Sequence, residues 1–136
     1  MKNPIVHFEI HASDPKRASK FYKDVFGWEI KQWSDWEYWM VMTGAPGMTD
    51  SKSTDKGING GMLIRKGDAP KDGQAVNAFV CTALVEDIDK TIVKIEKAGG
   101  KVYMPKHALA GMAWQAYYKD TEGNLFGIHQ PDENAK

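Results

Sequence analysis

Apolar and polar positions alternate without a break at the start of the chain. Val6, Phe8, Ile10 and Ala12 fall on one face, and Ile5, His7, Glu9 and His11 on the other, the period-two pattern of a strand. The apolar face requires a covering layer. Asp14-Pro15 supplies its start, a capping carboxylate followed by proline at the first helical position. The predicted helix places Pro15, Ala18, Phe21, Tyr22 and Val25 on one stripe and stops at Gly27. Trp28 to Trp33 alternates again and predicts a second strand, with Ser34-Asp35 as the turn. Trp36 to Thr43 predicts a third, so nearly continuously apolar or aromatic that both faces are expected to be covered. Gly44 to Lys56 has no periodicity and reads as a long loop. Gly57 to Ile64 resumes as a strand, and Arg65 to Gly73 is a polar connector.

The pattern then restarts. Val76 to Val85 reads as a strand, and Glu86-Asp87 opens a helix with Ile88, Ile92, Ile95 and Ala98 on one face, closing at Gly99-Gly100. Strands follow over Lys101–Met104, Met112–Tyr118 and Leu125–His129, with His107 in the loop between the first two. Asp14 to Gly27 and Asp87 to Gly100 match at an offset of 73 positions, and their apolar stripes superpose. A repeat of this kind marks two copies of one supersecondary unit. The expected fold is therefore α+β: two βαβββ modules whose sheets curl around a central cleft, with the helices outside. Residues 1–136 form one domain in this reading, with module one at about 1–66, a connector at about 66–74 and module two at about 75–131. The rows Trp36, Tyr38, Met40, Met42 and Met112, Trp114, Ala116, Tyr118 are taken as equivalent strands, one face of each lining the cleft.

Composition narrows the classes. Eighteen basic and eighteen acidic residues cancel, so no net field draws nucleic acid or an anionic membrane. The single cysteine, Cys81, fits a reducing compartment; alternation turns it toward the helix as a small core residue. The start Met1-Lys2-Asn3-Pro4 lacks an apolar leader, and no window is long enough to span a bilayer. A cytoplasmic protein with no membrane or nucleic-acid partner is expected. Five Trp and seven Met point to a partly open apolar cavity or an interface, since a Trp N–H needs a partner and its ring is rarely fully enclosed.

His7-Phe8-Glu9-Ile10, Asp14-Pro15-x-Arg17-Ala18-x-x-Phe21-Tyr22 and Val25-Phe26-Gly27-Trp28 resemble the opening of the vicinal-oxygen-chelate superfamily. That superfamily groups glyoxalase I, extradiol dioxygenases and bleomycin-resistance proteins. Asp120-Thr121-Glu122-Gly123-Asn124-Leu125-Phe126-Gly127 resembles its closing motif, with Thr121 where proline is usual. In metal-using members each half gives one ligand from its first strand and one from its last, typically His and Glu. Carried over, those positions are His7, Gly61, Val80 and Gly127, and three of them have no ligating side chain. A divalent ion wants two or three N, O or S ligands from the protein, so no metal cofactor is expected. His7 is the metal ligand only if a metal is present. The alternative is a lyase or dioxygenase that binds Zn, Ni, Mn or Fe in a site rebuilt around His7 with Glu9, His11 or His129. Relatives often pair, and some exchange modules, so the resemblance also admits a homodimer.

The resemblance and the patterning together imply a small-molecule ligand in the cleft. His7 and Glu9 are the expected catalytic residues, an acid–base pair suited to proton transfer on a small carbonyl compound. His11, Trp36, Tyr38, Trp39, Trp114 and His129 are the expected ligand-binding residues. A third reading is a structural or regulatory module without catalysis. No nucleophile–base motif, phosphate cradle or metal-type Cys spacing is present.

Overall fold

The computed structural model describes residues 8–44, 57–75 and 80–136. The expectations for His7, for the long loop and for the start of the second module's first strand fall outside the described residues. Two compact units divide the chain, Met1–Asp68 and Ala69–Lys136.

Unit one runs β1 (Glu9–Ala12), α1 (Pro15–Phe26), β2 (Glu29–Gln32), β3 (Tyr38–Met42) and β4 (Gly60–Ile64). Unit two repeats it as β5 (Thr82–Leu84), α2 (Ile88–Lys97), β6 (Lys101–Leu109), β7 (Ala113–Lys119) and β8 (Leu125–Pro131). Each is a βαβββ module with a four-stranded sheet, ordered β1-β4-β3-β2 and β5-β8-β7-β6. The first and last strands of each module pair parallel, and the other pairs are antiparallel. The α+β architecture and its internal repeat are as the sequence predicts.

The helices begin and end where their chemistry dictates. Asp14 Oδ1 accepts from the amides of Lys16 and Arg17, both at 3.1 Å, which satisfies two of the unpaired donors at a helix start. Gly27 takes φ 71° and ends α1 in the left-handed conformation. Asp87 caps α2 in the same way through the Lys90 amide at 3.0 Å. Helix α1 buries Ala18, Phe21, Tyr22 and Val25, and Trp28 stacks on Tyr22 with ring centroids 5.0 Å apart and planes 7° apart. Pro15, predicted on the same stripe, is only half-buried. Helix α2 buries Ile88 and Ile95.

Four expectations are corrected. Strand β3 is not covered on both faces: Val41 is its one buried residue, the rest being half-buried. Trp36 precedes β3 and is 68% exposed. Strand β6 continues through Pro105 to Leu109, so His107 lies on a strand, opposite Gln115. Proline ends a central strand because it lacks an N–H, but β6 is an edge strand with register shifts around Pro105, where that donor is not required. Cys81 lies just before β5 and is exposed, because the short β5 is itself an edge.

Candidate functional site

Registers fix which side chains share a face. In module one Glu9 is opposite Gly61, and Gly61 is opposite Met40. In module two Thr82 is opposite Gly127, and Gly127 is opposite Tyr117. Glu9 and Thr82 are therefore equivalent, Gly61 and Gly127 are equivalent, and Met40 corresponds to Tyr117. Two residues before Met40 stands Tyr38; two residues before Tyr117 stands Gln115.

One face of each sheet carries the helix. Ala12, Val41 and Met62 are buried there in module one, and Ala116, Tyr118, Phe126 and Ile128 in module two. The Tyr118 hydroxyl lies 3.5 Å from Glu96 of α2, and the Ile88 amide donates to Gln130 Oε1 at 2.8 Å. The opposite face, free of the helix, carries Glu9, His11, Tyr38 and Gly61 in module one. In module two it carries Thr82, His107, Gln115, Tyr117, Gly127 and His129.

Both glycines are roofed by a neighbouring side chain. A Cβ on Gly61 would stand 1.8 Å from the Tyr38 hydroxyl and 2.2 Å from its Cζ, so the Tyr38 ring lies across Gly61 and its hydroxyl reaches Glu9. Burial first, and then the charge of Glu9 and a hydrogen bond to it, raise the Tyr38 pKa above the ordinary phenol value. A Cβ on Gly127 would meet Thr82 Oγ1 at 2.6 Å, the Tyr117 ring at 3.0 Å and Gln115 Nε2 at 3.1 Å. Gln115 is 5% exposed, and its Oε1 bonds His129 Nδ1 at 2.7 Å. An amide oxygen only accepts, so His129 carries a proton on Nδ1. The His107 ring stacks against Tyr117, with centroids 6.5 Å apart.

The turn after β7 aligns this second glycine. Asp120 Oδ1 accepts from the amides of Glu122 at 2.8 Å and Asn124 at 2.9 Å. Gly123 takes φ 80°, a conformation that costs glycine little. That turn pins the β7–β8 register and with it the pairing of Gly127 with Tyr117.

Of the residues expected from sequence, Glu9, His11 and Tyr38 share one face of module one. Trp39 is opposite Met62 and so lies on the helix-bearing face; Trp36 is off the strand. Glu9 and His11 are exposed. In module two His129 is on the helix-free face, and Trp114 is on the other. The Trp114 indole donates to Asp132 Oδ2 at 3.0 Å, and Lys106 sits 4.6 Å over its ring. The row Trp114, Ala116, Tyr118 is thus the counterpart of Trp39 and Val41 rather than of Tyr38 and Met40, since one position of slip turns every side chain to the other face. Gln115 and Thr82 were missed. Anchoring the repeat on the glycines rather than on the aromatic rows aligns Gln115 with Tyr38. His7 falls outside the described residues. A recess of about 700 Å³ in module one lies between α1 and β2 among Lys20, Lys23, Trp28 and Lys31. It is away from Glu9 and Tyr38 and holds none of the candidate groups.

The glycines do not fit a metal. They stand at the last-strand positions where a ligand is expected, neither has a donor side chain, and a Cβ at either collides with its roof. Among the described residues no group of three or more His, Cys, Asp or Glu is placed to hold an ion.

Tyr38 gives a direct check. A phenol with a raised pKa contributes stability that is complete below the unfolded value, about pH 10, and is lost as pH rises through the folded value. Tyr118 behaves likewise, through burial first and then Glu96. Alkaline titration of phenolate absorbance is expected to place Tyr38 and Tyr118 in the late-titrating phase, and Tyr38→Phe to remove one phenol from it. An unchanged late phase in that variant would place Tyr38 away from Glu9.

The repeated βαβββ module, with a four-stranded sheet in each half, is the architecture of the glyoxalase-type class of proteins. The family model for the Glyoxalase/Bleomycin resistance protein/Dioxygenase superfamily matches residues 4–128, and the chain belongs to that superfamily. A glyoxylase-like domain-containing protein of Didymella fabae is 28% identical over 121 residues, 88% of each chain. Among solved structures, the fosfomycin resistance protein FosX of Listeria monocytogenes, complexed with Mn(II) and sulfate, superposes with a TM-score of 0.69 at 15% identity, over 97% of this chain and 93% of that one. A glyoxalase-related enzyme of Fulvimarina pelagi gives 0.65 at 13% identity, over 95% and 88%. At these identities the solved structures speak for the fold alone.

Proposed function

We infer that this chain binds a small organic molecule, for sequestration or for transformation, on its helix-free sheet faces and without the metal its fold often carries. The observation that supports this reading is the roofed glycine pair. Tyr38 lies over Gly61, and Gln115 with Thr82 lies over Gly127, so hydrogen-bonding groups stand where ligating side chains are expected. Glu9 orients polar groups of the ligand together with Tyr38, and His7 is assigned to the same task from its place in the motif. His11 and His129 add polar contacts. Trp36, Trp39 and Trp114 are weaker candidates than the alternation suggested, because they lie off β3 or on the helix-bearing face. The protein works in the cytoplasm in this reading, in keeping with its single cysteine. No helix among the described residues is long and apolar enough to cross a membrane.

Elemental analysis of freshly purified protein tests the metal-free part. Substoichiometric metal is expected, with no thermal shift on adding Zn²⁺, Ni²⁺, Mn²⁺ or Fe²⁺. Small aromatic and carbonyl compounds are expected to raise the melting temperature, as any ligand that binds only the folded state does. Near-stoichiometric metal, lost in His7→Ala, would instead establish a lyase- or dioxygenase-type site built around His7. FosX, crystallised with Mn(II), shows that this fold accepts such an ion.

A further inference from the structure

Gln115 is a nearly buried amide on the sheet face opposite the helix, and packing alone does not require an amide there. Its same-face neighbours along β7 are Ala113, small and fully buried, and Tyr117, half-buried. The Oε1 atom is committed to His129 Nδ1 at 2.7 Å, which fixes the amide plane and turns Nε2 toward Gly127. Nε2 and Thr82 Oγ1 both close on the point a Gly127 side chain would fill, at 3.1 and 2.6 Å from it. Every fully buried side-chain nitrogen or oxygen among the described residues has a hydrogen-bond partner. Gln115 is engaged with His129 through Oε1, and its Nε2 stands over Gly127. The stacked rings of His107 and Tyr117 stand beside it.

We propose that Gln115 is a ligand-contacting residue that selects an oxygen acceptor. Its Nε2 hydrogens, with the Thr82 hydroxyl beside them, take a carbonyl or carboxylate oxygen of a small organic ligand, and the His107–Tyr117 pair provides a flat wall for the ligand's body. His129 is a positioning residue, since its Nδ1–H holds Oε1 and keeps the donor side of the amide over Gly127. The acceptor chemistry follows from the donor set: an amide N–H₂ and a hydroxyl suit an oxygen, and they leave an ammonium group without an acceptor of adequate charge. This assignment rests on the small-molecule reading above and specifies its ligand class.

Two measurements on the full chain test it, with benzoate, acetophenone and benzylamine as probes. In wild-type protein, benzoate and acetophenone are expected to shift the side-chain amide resonances of Gln115 in ¹⁵N-correlated spectra, and benzylamine is not. Gln115→Glu keeps the shape and the bond from His129 but replaces both donors with an acceptor. It is expected to weaken benzoate binding about ten-fold or more, the loss of a hydrogen bond to a charged group. Benzoate binding that leaves both the Gln115 amide and the Gln115→Glu affinity unchanged would overturn the assignment and spare the small-molecule reading. Benzylamine binding more tightly than benzoate would also overturn it. If none of the probes, nor the wider panel of aromatic and carbonyl compounds, binds at millimolar concentration, both readings fall. Should Gln115→Glu not fold, the wild-type amide resonances decide alone.

Discussion

Gly60→Ala is expected to destabilise the folded chain by about 3 kcal/mol, at the upper end of the overpacking range. A Cβ at this position would lie 2.5 Å from the carbonyl oxygen of Phe8 and 2.7 Å from its ring. The oxygen belongs to the backbone that pairs β1 with β4, where the Gly61 amide donates to it at 2.9 Å. It cannot swing aside without opening the parallel ladder that carries Glu9 and His11. Gly61→Ala, one residue along, is expected to cost less, about 1 kcal/mol, because its new methyl meets the far end of the Tyr38 side chain, which can rotate away, rather than backbone. The phenol then leaves Glu9 and titrates earlier. Urea midpoints for the two variants, with the alkaline titration of Gly61→Ala, check this pair. Equal midpoints would mean that β1 and β4 can part at little cost.

Ile128→Ala is expected to lose about 3 kcal/mol, the transfer and cavity cost of a buried aliphatic side chain. Ile128 is fully buried, opposite Ala116 and Ala83 on the helix-bearing face of β8. Its neighbours in sequence, Gly127 and His129, point the other way, so the packing that seats Ile128 also aims the His129–Gln115 pair. The variant should therefore lose ligand-induced stabilisation as well as melting temperature. Leu84→Ala is the matched control: Leu84 is 76% exposed, and its loss should stay within about 0.5 kcal/mol. A comparable loss from both would contradict the placement of the core.

The repeat, the caps and the glycines were legible because each rests on local chemistry or on chain spacing. Asp14-Pro15 and Gly27 announce α1 in any context. The offset of 73 aligns the two modules without any knowledge of packing. What stayed hidden depends on strand neighbours. Pro105 ends a strand by local rules, yet β6 carries it at an edge. Trp114 looks like the partner of Tyr38 until the pairing of Gly127 with Tyr117 shifts the frame by one residue. Gln115 showed only as a polar position in an alternating strand, since its meaning comes from His129, fourteen residues away. Trp36, by its side chain a natural wall for a ligand, lies in the turn before β3, where composition alone had no power to place it.

The roofed glycines also shape which sequences lie one substitution away. A histidine or glutamate introduced at position 61 meets the Tyr38 ring, and one at 127 meets Thr82, Tyr117 and Gln115. Removing a roof first exposes a bare glycine and forfeits the hydrogen bonds that Tyr38 or Gln115 makes. Gaining a donor in either module thus takes paired changes whose intermediates are each worse than the start, and the requirement arises twice in one chain. Such coupling makes evolutionary drift toward ion binding steep here, and it makes directed evolution from single-site libraries a poor route to it.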